Sequence, residues 1–248
     1  MPAAVCFRSV AIAVCGVLGA TGVAAANGAD GPVAARRAPD FEQRTIGTSV
    51  RGLPIRARVI GDPAADRSVL IVGCIHGTER AGEAVTRALR SAAPPAGTNW
   101  WVIDQANPDG CAARTRQNAR GVDLNRNADW RWGTSDRPGD TFYAGPRPWS
   151  EPETRAIRDL VESLRPAVSV WFHQHAAMVD IGPGDARVPR RYAHTVGLPA
   201  RDYGRVHGSI TSWQHDRFPA SPAFVVELRA GALSPAAIAR HVRAIEAL

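Results

Sequence analysis

The chain has 248 residues, 45% of them apolar, which is enough for one sizeable core and too few for two comfortable domains. Its net charge of +7 comes from arginine alone, with no lysine, and the arginines are spread along the chain without a basic run or a nucleic-acid motif. That distribution excludes DNA or RNA as the partner the charge serves, and a single monomeric unit is expected.

The first 26 residues predict an export signal: Arg8 precedes an apolar stretch over 10–23, followed by Ala24, Ala25 and Ala26. The stretch falls short of the ~20 residues a spanning helix needs. It is also broken by Gly16, Gly19 and Gly22, so cleavage after Ala26 is expected and stable membrane insertion is not. The mature protein then works in a secreted, periplasmic or cell-wall space. Residues 27–44, rich in Ala, Gly, Pro and Arg, are expected to form a flexible leader, with order beginning near Thr45 and the folded domain covering 45–248. Cleavage leaves Cys74 and Cys111 as the only cysteines, neither in a CxxC unit. In an oxidising compartment they are expected to pair; two buried thiols are the alternative.

Short apolar runs bounded by turn residues predict strands over 55–60, 69–73, 100–103, 168–172 and 224–228, their continuous hydrophobicity implying burial on both faces. Helical patterns lie over 81–90, 152–164 and 235–247. Ser150 with Glu153 reads as a capping box, and Ser234 followed by Pro235 as a cap with proline in the first turn. The alternation predicts an α/β sandwich with a largely parallel sheet and a ligand site beyond the carboxyl ends of its strands. Residues 105–148 fit no element, yet their tryptophans argue against disorder.

An apolar strand ends at Gly73 and delivers His76 and Glu79 three residues apart, both suited to zinc. Alone, H-x-x-E is a weak signal. It is followed by Asn107-Pro-Asp-Gly110, then Gly121-Val-Asp-Leu-Asn125-Arg126-Asn127, then Val168-Ser-Val-Trp-Phe-His173-Gln-His175, and finally Glu227 inside the apolar Ala223-Phe-Val-Val-Glu-Leu228. In that order the pieces resemble the zinc carboxypeptidase family, over most of the mature chain, and look closest to its bacterial murein peptide amidases. The resemblance implies a three-layer α/β/α sandwich with a mixed, largely parallel central sheet and one zinc ion per chain.

Strand parity leaves His173 and His175 open as the third ligand, since residues two apart share a face. The family's placement of the ligand at the end of the strand favours His173, which with His76 and Glu79 would make the open two-histidine, one-carboxylate site of this class. By the same resemblance Glu227 is a general base acting on the metal-bound water, where pairing with Arg229 is the structural alternative. Arg116 would stabilise the oxyanion, and Asn125 and Arg126 would hold a substrate carboxylate. Where pancreatic members carry a tyrosine, the matching stretch offers Trp213 as a substrate-facing group, with only an indole N–H to give.

The function implied is zinc-dependent hydrolysis of an amide beside a carboxylate-bearing residue of a small peptide, with a cell-wall stem peptide as the substrate class. Two alternatives share the residues: deacylation of N-acyl amino acids, and a catalytically silent binder of wall peptides.

Overall fold

The computed structural model describes residues 41–133, 136–182 and 184–248. The expected export signal and the leader as far as residue 40 lie outside them. Eight strands form one sheet: β1 (Phe41–Thr48), β2 (Pro54–Ile60), β3 (Arg67–Val72), β4 (Thr98–Ile103), β5 (Val168–Gln174), β6 (Met178–Asp180), β7 (Ala200–Arg201) and β8 (Ala223–Leu228). Their order is β1-β2-β4-β3-β5-β8-β6-β7. The central four, β4, β3, β5 and β8, run parallel, while β2 and β6 join them antiparallel on either side. The sheet is therefore mixed, with a parallel centre.

Consecutive residues of the central strands enter opposite cores. Leu70, Val72, Ile103 and Trp171 pack beneath α3 (Pro152–Leu164) and α5 (Ile210–Arg217); Val69, Ile71, Val102 and Phe172 pack against α1 (Gly82–Ala88), α4 (Arg187–Val196) and α6 (Pro235–Glu246). Two covered faces are the reason those strands read as unbroken apolar runs. Among the described residues no helix is long and apolar enough to cross a membrane.

Several elements differ from expectation. Strand β1 already spans Phe41–Thr48, starting four residues ahead of Thr45, and pairs antiparallel with β2. Most of β1 is exposed, so no apolar alternation announces it. The capping box at Ser150 and Glu153 does not form. Pro152 starts α3 with Glu151 at the cap, and Glu153 instead accepts from Val50 N (2.9 Å) and Asn118 Nδ2 (3.1 Å). The Ser234 cap does form, accepting from Ala237 N at 3.2 Å.

The segment over 105–148 is ordered by side chains rather than by ladders. Asn107 caps the short helix α2 (Pro108–Ala113) by accepting from Gly110 N at 2.9 Å. Asn127, fully buried, donates to Ala144 O (2.7 Å) and Ser150 Oγ (2.8 Å) and accepts from Thr154 Oγ1 (2.7 Å). One amide thus satisfies polar groups of a loop and a helix start, the substitute for secondary structure that a buried irregular backbone requires.

Candidate active site

Because β3, β5 and β8 are parallel neighbours, their carboxyl ends open on one side of the sheet. The turn after β3 supplies His76 and Glu79, the end of β5 supplies His173, and β8 supplies Glu227, paired in register with His173. The turn is tight: a Cβ at Gly77 would fall on the Gly110 backbone, so the His76 turn and the N-P-D-G turn lie against each other only with glycine there.

His76 Nδ1 lies 3.0 Å from Glu79 Oε1, and His173 Nδ1 lies 2.9 Å from Glu79 Oε2. His76 is 1% exposed. Its Nε2 meets Asp123 Oδ1 at 2.9 Å, while its Nδ1 has no hydrogen-bond partner. A carboxylate on Nε2 selects the tautomer that protonates this nitrogen and turns the Nδ1 lone pair toward the cluster, as in metal-ligating histidines. An orphaned buried imidazole nitrogen, a second imidazole and a carboxylate converging on one point fit zinc. His175, past the end of β5, lines the cleft without joining this group.

The charges suit a cation. Burial pushes the Glu79 carboxyl up, yet the two histidines beside it hold it well below the usual carboxylate range. Asp123 behaves alike, with His76 and then Arg116 overriding burial. His76 is raised above its ordinary value despite burial, chiefly by Asp123. A second buried group, Cys74, Glu83 and Cys111, does not fit a metal: Glu83 is already claimed by Arg80 and Arg87, and the two sulfurs stand only 2.6 Å apart. Both cysteines are thiols in this structure.

A cleft of about 610 Å³ runs from the cluster, lined by Arg116, Asn125, Arg126, Phe142, Tyr203 and Glu227 among others. Arg116 donates to Glu79 Oε1 (2.8 Å) and to Asp123 Oδ2 (3.0 Å). Asn125 is held by accepting from Ile210 N (3.1 Å), and Arg126 donates to the Asn125 carbonyl (2.8 Å). The Phe142 ring lies 5.2 Å from each of the Arg116 and Arg126 guanidinium carbons. Glu227 Oε2 accepts from Ala176 N (3.3 Å), and no ion pair with Arg229 forms among the described residues.

Trp213 is not part of this cleft. It is 4% exposed, in the core between Trp149 and Phe218 with ring centroids at 5.0 and 6.1 Å. On α5 it faces the sheet, and Thr211, Ser212 and His215 face the cleft instead. A tyrosine does line the cleft from upstream of that stretch: Tyr203, 66% exposed. Asp123 joins the site too, a fully buried carboxylate whose sequence signal is its place inside the G-V-D-L-N-R-N motif.

Residues 33–219 match the model of the zinc carboxypeptidase family. The chain belongs to that family. It is accordingly a zinc-dependent hydrolase of the metallocarboxypeptidase type. Murein peptide amidase A of Escherichia coli is 34% identical over 168 residues, covering 62% of this chain and 69% of that protein. The Vibrio campbellii enzyme of the same name is 32% identical over 199 residues, covering 74% and 78%. Among solved structures, the murein-tripeptide amidase MpaA from Escherichia coli superposes with a TM-score of 0.68 at 28% identity, covering 87% of this chain and 94% of that one. Carboxypeptidase A from Helicoverpa armigera shares the fold, with a TM-score of 0.70 at 20% identity over 84% of this chain and 69% of its own. Glu227 lies beyond the residues the family model matches.

Proposed function

We propose that this family member is an exported peptide amidase, cleaving the amide beside a carboxylate-bearing residue of a small cell-wall peptide. The observation that carries this reading is the meeting of His76, Glu79, His173, Glu227 and Arg126 along one cleft at the strand ends. His76, Glu79 and His173 would hold zinc, which supplies a Lewis acid that polarises the scissile carbonyl and acidifies water.

The remaining work falls to the chain's own groups. Glu227, with one oxygen fixed by Ala176 N and the other without a partner among the described residues, takes a proton from the attacking water and passes it to the leaving amine. Arg116, on the rim between Glu79 and Asp123, faces the charge that develops on the carbonyl oxygen. Arg126 and Asn125 hold the departing residue's carboxylate, the guanidinium offering a planar fork for it. On the same reading residues 1–26 are an export signal, 45–248 are the catalytic domain and the enzyme acts as a monomer in the wall space. Relatives named murein peptide amidase, at a third identity, support the choice of substrate.

The test is to incubate zinc-loaded protein with L-Ala-γ-D-Glu-diaminopimelate, a panel of L-peptides and N-acetyl amino acids, and to identify the released amino acid by mass. Diaminopimelate from the tripeptide is the expected product. Release only from the acyl amino acids would move the reading to a deacylase, and release from nothing would leave a binder.

A further inference from the structure

Arginines that are dispersed along the chain gather in the fold on either side of α1. A cavity of about 550 Å³ lies between α1, the end of α2 and residues 231–233, with Arg80, Arg87 and Arg114 in its wall. A second, of about 300 Å³, lies between α1 and the β1–β2 edge of the sheet, with Arg56, Arg58 and Arg90 in its wall. Glu83 and Arg87 border both, so the two cavities meet at α1. Strand β2 contributes by alternation. Ile55, Ala57 and Val59 enter the core beneath α3, which leaves Arg56 and Arg58 on the opposite face.

The carboxylates in these walls, Glu83 and Asp104, are already taken. Glu83, 2% exposed, accepts from Arg80 Nε (2.6 Å), Arg87 Nη2 and Gln105 Nε2 (3.2 Å). Asp104 accepts from both ends of the Arg58 fork, at 2.6 and 2.9 Å. Two guanidiniums thus share one carboxylate, and Arg87 has donors left over. The exposed side chains of Arg56 and Arg114 form no hydrogen bond or ion pair among the described residues, and neither does the exposed Thr78 hydroxyl in the first cavity. Like charges held this close repel until an anion enters between them.

The free donors come from β2, α1 and the end of α2, so they face a bound group from several directions. A tetrahedral phosphate can accept from such a surround, whereas the two oxygens of a carboxylate lie in one plane and are filled by a single guanidinium fork. None of the residues lining either cavity is aromatic, so nothing there would stack a nucleic-acid base.

We propose that the two cavities form one binding groove for an extended, base-free chain of phosphate groups. Gln174 lines both the first cavity and the catalytic cleft, so a chain held in the groove lies beside the cleft without entering it. The groove uses no residue of the candidate metal cluster, and the inference stands apart from the amidase reading.

The experiment titrates a synthetic glycerol phosphodiester oligomer into the zinc-loaded protein by calorimetry, with zinc content checked afterwards. Saturable binding that weakens as salt rises is expected, with poly-L-glutamate and a single-stranded oligonucleotide of matched charge at least about tenfold weaker. The variant carrying Arg56→Gln, Arg87→Gln and Arg114→Gln should lose at least about tenfold in affinity. Its plot of log affinity against log salt should flatten by about two, since each phosphate contact contributes roughly 0.7. A control carrying Arg190→Gln, Arg240→Gln and Arg243→Gln has the same net charge but changes neither cavity, and should bind as wild type does. Melting temperature checks folding in both. Arg114→Gln alone, whose side chain has no protein partner to lose, should weaken binding severalfold in an unperturbed fold. Absence of binding, equal binding of poly-L-glutamate or the oligonucleotide, full affinity in the groove variants, or an equal loss in the control overturns the proposal.

Discussion

His76 Nε2 and Asp123 Oδ1 stand 2.9 Å apart in the interior, and this contact turns the partnerless Nδ1 of His76 toward Glu79. Asp123 in turn accepts from Arg116, so one carboxylate orients a candidate metal ligand and a cleft arginine together. Replacing Asp123 by Ala should weaken zinc binding about 10–100-fold, the range for lost outer-shell partners, as read by chelator competition. His76→Ala and His173→Ala should abolish tight binding, and His175→Ala should not. Zinc lost from the His175 variant alone would transfer the ligand role to that residue.

Glu227 and Arg126 should fail in different ways. Glu227→Gln keeps the acceptor for Ala176 N but not the ability to take a proton, so zinc should stay bound while turnover falls at least about a hundredfold. Arg126→Ala should mainly raise KM by removing the carboxylate anchor. Metal analysis and steady-state kinetics on the two variants check both; near-normal turnover in Glu227→Gln would remove that residue from the mechanism.

Cys74 and Cys111, buried with sulfurs 2.6 Å apart, are placed to join in an oxidising compartment. As a thiol Cys74 would be slow to alkylate in the folded protein, since the Cys111 sulfur and burial push its pKa far up. Protein recovered from export should titrate no free thiol in denaturant without reductant. Reducing it should lower stability by about 2–4 kcal/mol, measured by urea unfolding. Two thiols found in the exported, denatured protein would exclude the bridge.

Beneath the sheet, His241 is 4% exposed and meets Tyr192 Oη at 2.9 Å; burial, then Arg240, depress its pKa from 6.5 to about 4. A lowered histidine pKa means the unfolded chain binds the proton first. The contribution to stability is therefore complete above 6.5 and is lost as pH falls toward 4, in all about 3 kcal/mol. Comparing wild type with His241→Gln by urea unfolding at about pH 7 and about pH 4.5 cancels the other titrating groups; wild type should lose roughly 2–3 kcal/mol more than the variant. Parallel losses would mean that the buried imidazole does not drive acid sensitivity.

The sequence alone determined the parallel centre of the sheet, because strands covered on both faces must be apolar at every position, as 69–72 and 168–172 are. It also determined the order of His76, Glu79, Asn125, Arg126, His173 and Glu227, since these stand in local motifs whose spacing survives in the linear chain. It left β1 unread, because an exposed edge strand needs no apolar pattern, and it misread Ser150, because Pro152 moved the start of α3 by one residue. Only the tertiary structure decided which way side chains face. Trp213 and His215 are neighbours on α5, yet one enters the core and the other the cleft. Tyr203 and Asp180 come from separate segments, brought together by the pairing of β6 with β7 and by the Tyr203 N–H bond to Asp180, and no local pattern records that contact. Motif residues are legible because chemistry constrains their spacing along the chain; the walls of the cleft are not, because packing constrains them only in space.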